Sequence, residues 1–237
     1  NESESDDVPY EESLREQFND GYPWYWKNYL SVTAYRDTRD IPWFATRGSY
    51  LSQNIKLYGG FLGGYSNFIA LNTDSNISVK TFNTFVLSSR LNVGFIVPMP
   101  GVPLRIDDSD YLRIDTWNEG RGWQHPSQFE SLYSKRGRAE FNFSLEYRYP
   151  VVERFLWLLT FFDASGLYDT PDDFTLDPRE LYYSFGFGGS VVIPGFPIRL
   201  YLARRFKYDH QLDKLRFANS QKLFRDWDFV FAVAGFF

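Results

Sequence analysis

The stretch WDFVFAVAGFF, residues 227–237, alternates large apolar side chains with small or polar ones. In an extended chain Phe229, Phe231, Val233 and Phe237 share one face, Asp228, Val230, Ala232 and Ala234 share the other, and Phe236 alone breaks the pattern. At a free terminus in water so apolar a face invites aggregation. In a bilayer it is what a barrel wall requires: one face meets hydrocarbon, and backbone donors and acceptors pair with neighbouring strands. The expectation is the closing strand of an all-β, antiparallel transmembrane barrel. Its seam comprises Phe229, Phe231, Val233, Gly235 and Phe237, and it is expected to pair weakly because Gly235 reduces packing and strand propensity.

Composition agrees with that expectation. Aromatic residues make up 20% of the 237, yet 23% are charged and the mean hydropathy is negative. A soluble core needs far fewer rings, and a helical membrane protein would be more apolar. A barrel reconciles the two, with rings girdling the interfaces and charge in the lumen and loops. The longest nearly unbroken apolar run, 155–162, is far shorter than the roughly 20 residues a transmembrane helix needs. With no cysteine there is neither a disulfide framework nor a thiolate metal site, and the two histidines, His125 and His210, fall in expected loops. No cofactor is expected. A net charge of −5 argues against nucleic acid as a partner. No GxSxG motif is present and neither histidine lies beside a strand nucleophile, so no enzymatic activity is expected. No signal peptide is visible, so the chain reads as mature or as a piece of something longer.

Period-two alternation marks about nine strands, near 28–37, 48–59, 67–82, 84–98, 138–150, 155–168, 180–194, 197–209 and 226–237. In 138–150, Phe141, Phe143, Leu145, Tyr147 and Tyr149 oppose Glu140, Asn142, Ser144, Glu146 and Arg148. Short connections (37–48, 82–84, 150–154, 194–197) trade places with longer ones (59–67, 98–136, 168–179, 209–225). Turns at one rim and loops at the other are the pattern of an outer-membrane barrel; a soluble β-sandwich, the alternative, has no such bias.

Four segments, in order, carry a family resemblance: YRDTRDIPWFATRGS (35–49), EGRGW (119–123), SLEYRYP (144–150) and FFDASG (161–166). They resemble the barrel of BamA-type outer-membrane assembly factors and their relatives in secretion and organelle import. EGRGW is similar to that family's Arg-Gly-aromatic motif, SLEYRYP to the following strand end, and FFDASG to its aromatic-Asp-Ala-Gly element. Two positions depart from the pattern, Ala45 where Pro is common and Ser165 where Gly is usual. The resemblance implies the C-terminal part of a sixteen-strand barrel, with 1–27 an extracellular loop with room for a short helix over 10–18. Residues 28–237 would then be barrel wall, with a lumen-folded loop at about 99–136. A small barrel that closes on itself, 28–37 pairing with 226–237, is the alternative. The implied function is insertion of β-barrel proteins into the outer membrane, with unfolded outer-membrane proteins as clients and accessory outer-membrane lipoproteins and the lipid bilayer as partners. A secretion pore of the same superfamily, or a passive porin or adhesin, is the competing reading.

The residues suggest a chemical reason for the motifs. Glu146 falls on the polar face of its strand, and Asp163 is an isolated carboxylate in an otherwise apolar one. An unpaired buried carboxylate is costly. Arg121 lies between Gly120 and Gly122, which let the backbone approach closely, and one planar guanidinium can serve two carboxylates. The resemblance places this contact inside the barrel, so the expected site is a tether of loop to wall, Arg121 bridging Glu146 and Asp163, with Gly122 and Trp123 packed beside it. Otherwise Arg121 is an exposed loop cation and Glu146 faces lumen water. Asp37, Arg39 and Asp40 read as ordinary turn chemistry. Gly186, Gly188 and Gly189 read as barrel curvature or as room for a passing loop. Arg199, Arg204, Arg205 and Lys207 read as partners for lumen carboxylates, with anionic lipid head groups as the alternative.

Overall fold

The computed structural model describes residues 26–42, 44–125, 129, 132, 135–153, 155–193, 198–219, 222 and 225–233. Most of the expected N-terminal loop with its helix, and Gly235 and Phe237 of the expected seam, lie outside the described residues. Among the described residues ten strands make one antiparallel sheet: β1 (Tyr29–Asp37), β2 (Gly48–Tyr58), β3 (Phe68–Lys80), β4 (Val86–Val97), β5 (Ala139–Val152), β6 (Leu156–Tyr168), β7 (Tyr182–Val191), β8 (Ile198–Asp209), β9 (Lys214–Phe217) and β10 (Asp228–Val233). Each strand from β1 to β8 pairs with the next, β10 pairs with β8, and β9 folds back onto the end of β8. Among the described residues β1 and β10 do not pair with each other.

Alternation misses β9, because four residues are too few to show a period. The short strand arises from a turn: Asp209 Oδ1 accepts from the amides of Gln211 and Leu212, and Asp213 takes φ +50°. The chain then reverses, with Phe217 opposite Phe206.

Residues directly opposite in an antiparallel ladder share a face, so the registers carry one face across the sheet. A single row runs Asp37, Tyr50, Asn76, Arg90, Ser144, Asp163, Ser184, Arg205, one residue per strand from β1 to β8. The other face exposes Val32, Ile77, Leu145, Leu158, Phe187 and Phe229. Polar inside and apolar outside is the arrangement a lipid-facing wall demands.

Two apolar clusters occupy the inner face at different heights. Near the short-turn rim Phe44, Val86, Trp157, Leu159, Phe161, Tyr201 and Val230 pack together. Phe44 reaches them from the 37–48 connection and meets Trp157 at 4.8 Å between ring centroids. Near the loop rim Ile114, Trp123, Leu132, Tyr182 and Ala218 form the second cluster, built largely from the long loop between β4 and β5.

Gly186 and Gly188 of β7 belong to the cluster near the short-turn rim, whereas Gly189 lies on the opposite face, across from Leu158. A Cβ on Gly186 would lie 2.7 Å from Phe161 Cζ, and one on Gly188 would lie 2.6 Å from Tyr201 Cδ1. The space at these two glycines is filled by aromatic rings of the neighbouring strands, not by a passing loop.

Candidate functional site

The loop between β4 and β5 reaches the inner face of the sheet in stages. Backbone bridges Asn67–Arg105 and Leu112–Gly137 hold its two arms at the rim. Asp115 then closes a tight turn, its carboxylate accepting from the Trp117 amide and from Asn118 Nδ2. Gly120 at φ +49° and Gly122 at φ +93° follow, a conformation L side chains rarely adopt. These two residues reverse the chain around Arg121 and press it against the wall: a Cβ on Gly122 would sit 3.1 Å from Ala203 Cβ and 3.3 Å from Arg205 Cγ.

Arg121 is 1% exposed and Asp163 fully buried. The arginine donates to Asp163 from Nε (2.8 Å), Nη2 (2.6 Å) and its own backbone amide (3.1 Å). Nη1 donates to Glu146 Oε1 at 2.7 Å, and Nη2 also reaches Ser144 Oγ at 2.8 Å. Ser144 Oγ in turn donates to Asp163 Oδ1 at 2.8 Å, and Arg148 Nε donates to the other oxygen of Glu146 at 2.6 Å. The guanidinium stacks 3.7 Å over the Phe161 ring, with Tyr201 at 5.0 Å. Charge-assisted, bidentate bonds of this kind are the strong ones. Buried charges persist only when donors and acceptors are matched as completely as this.

Trp123 is fully buried, edge-on to Tyr182 at 5.0 Å, with its indole Nε1 donating to the Tyr183 carbonyl at 3.1 Å. Glu119 also lies against the wall, 3.4 Å from Arg90 Nη1. Its burial pushes the carboxyl up to about 7, an effect that Arg90 opposes and that Asp115 and Asp74 reinforce. Of the expected seam residues, Phe229, Phe231 and Val233 face outward and are exposed, while Val230 and Ala232 are buried on the inner side.

Sequence reasoning did not assign Ser144, Phe161 and Tyr201 to this site. Ser144 could have been found from its place on the same strand face as Glu146. The two rings could not, because what brings them under Arg121 is the missing side chains of Gly186 and Gly188 on a third strand. The arginines of β8 also divide between faces: Arg205 meets Asp228 inside, Arg199 donates to Asn118 of the loop, and Arg204 donates to the carbonyls of Asp226 and Lys222.

An antiparallel wall, apolar outside, with short turns at one rim and an arginine-bearing loop folded onto its inner face, defines the class. This is part of the wall of a transmembrane β-barrel, with one of its own loops lying on the inner face. The Omp85 superfamily domain matches residues 1–221, and the chain belongs to that superfamily. No curated protein matches it by sequence. Among solved structures it is similar to the crystal structure of BamA from Haemophilus ducreyi lacking POTRA domains 1–3, with a TM-score of 0.62 at 15% identity. That likeness covers 88% of this chain and 42% of the other, so the chain spans less than half of that structure. At this identity the likeness shows the fold.

Proposed function

We propose that this chain is part of an insertase that assembles β-barrel proteins into the outer membrane, and that Arg121 tethers the loop so that it occupies the lumen. The observation that carries the reading is the depth of the loop's root: Arg121 and Trp123 are buried against the wall, and Asp163 and Glu146 have no other buried loop cation to hold them among the described residues. A wall that keeps its own loop in the lumen is poorly suited to steady conduction. It is well suited to work at a seam beside β10, the strand that pairs with β8, if that seam opens. An unpaired strand edge offers backbone donors and acceptors to an incoming strand, which is β-augmentation carried out in a membrane. The exposed outer face of Phe229, Phe231 and Val233 keeps that edge in lipid. Such a mechanism needs neither a cofactor nor a chemical step. Its partners are unfolded outer-membrane proteins as clients, the bilayer itself and accessory lipoproteins.

The test is made on the full-length protein in two assays. In proteoliposomes it should accelerate folding of an unfolded outer-membrane β-barrel client, and in planar bilayers it should conduct rarely and briefly. Steady, large conductance without client acceleration would assign it to the secretion pores instead.

A further inference from the structure

We infer that Arg205 is a positioning residue that couples the seated loop to the start of β10. It lies on the inner face of β8, and its side chain is fully buried. Nε and Nη2 grip the Asp228 carboxylate as a fork, at 2.7 and 3.0 Å. Nη1 donates to the backbone carbonyl of His125, four residues beyond Arg121, at 2.7 Å. Nη2 also reaches Asn219 Oδ1, on the connection that leads into β10, at 3.2 Å. The aliphatic stem of Arg205 packs against Gly122, and its guanidinium lies 5.4 Å from the Trp123 ring. One guanidinium thus touches the loop, the connection before β10 and the first residue of β10.

The coupling follows from the surroundings. With the loop in place, Arg205 is dry and four of its five N–H donors are engaged, which holds the fork in register with Asp228. If the loop leaves, the His125 carbonyl goes with it and lumen water reaches the pair. A solvated ion pair contributes little, so the entry to β10 slackens. By linkage the reverse holds as well: freeing Asp228 must loosen the loop. Arg121 and Arg205 therefore have different tasks. Arg121 fixes the loop to β5 and β6, whereas Arg205 transmits the loop's position to the edge strand. As a mechanical link this stands alone; as a control on strand entry it rests on the assembly reading.

The experiment is amide hydrogen exchange on full-length protein in nanodiscs, without any client, so its outcome is independent of whether the protein inserts anything. Asp228→Asn keeps the size of the side chain and is read at the loop, over 120–125; exchange there should rise about fivefold or more. Arg121→Ala is read at the first residues of β10, where exchange should rise as well. In an Arg205→Ala background β10 should already exchange faster, and adding Arg121→Ala should bring no further increase there. Unchanged loop exchange in Asp228→Asn overturns the coupling. So does an Arg121→Ala effect on β10 that persists undiminished without Arg205.

Discussion

On β1 and β2 the inner face carries Ser31, Thr33 and Asn54, which bond to one another across the ladder, Asn54 Nδ2 donating to both hydroxyls. On β5 and β6 the inner face carries Ser144, Glu146 and Asp163, and there the loop lies on top with Arg121 between them. The two regions share one alternation and one continuous register. They differ in where carboxylates sit: Asp37, at the rim end of β1, pairs with Arg39 of its own turn, whereas Glu146 and Asp163 lie in mid-strand. Neutral hydroxyls and amides satisfy each other within the sheet and can face water, whereas a carboxylate beside an apolar cluster needs a cation brought to it. Where mid-strand carboxylates are flanked by rings, the loop roots; over the neutral stretch of Ser31, Thr33 and Asn54 the wall is bare among the described residues.

The sharpest way to break that contrast is Arg121→Ala, which leaves Asp163 and Glu146 close together under the loop. A loss of about 3–5 kcal/mol of loop seating is expected, seen as rapid proteolysis within 99–136 in the folded protein. Next comes Gly186→Ala on β7. Its Cβ would collide with Phe161 and with the Leu202 carbonyl, displacing the ring on which Arg121 rests. A cost of roughly 1–3 kcal/mol or somewhat more is expected, measured by denaturant unfolding in detergent. A third test uses pH. Burial raises Glu119 from an ordinary 4.5 to about 7, so its contribution to seating is complete below pH 4.5. That contribution declines as pH climbs through 7 and is flat above. Loop proteolysis should therefore increase over that interval, and Glu119→Gln should remove the dependence. The smallest effect is expected on the bare side: Asn54→Ala should change stability by no more than about 0.5 kcal/mol and leave loop proteolysis as it was.

The same contrast explains what was legible beforehand. Strand alternation is a local signal, and it locates nine of the ten strands because each is long enough to show its period. Arg121, Glu146 and Asp163 stand out as charges in unusual company, one between glycines and one in an apolar strand. Their supports depend on register, which local patterns do not reveal. Ser184 lies beside Asp163 only because β7 pairs with β6 at that offset, and Arg205 finds Asp228 only because β10 passes over β9 to pair with β8. The run of basic residues on β8 looks uniform in sequence. Consecutive residues on a strand point to opposite faces, so Arg204 and Arg205 reach different partners.

The position of Arg121 between two dry clusters, Phe161 and Tyr201 on one side and Trp123 and Tyr182 on the other, also sets how it responds to electrolyte. Mobile ions screen charges they can approach, and they cannot approach this one. The Arg113–Asp108 pair at the rim, at 2.8 Å and well exposed, has no such shelter. Raising ionic strength should loosen the loop's outer arm first, while its root stays fastened.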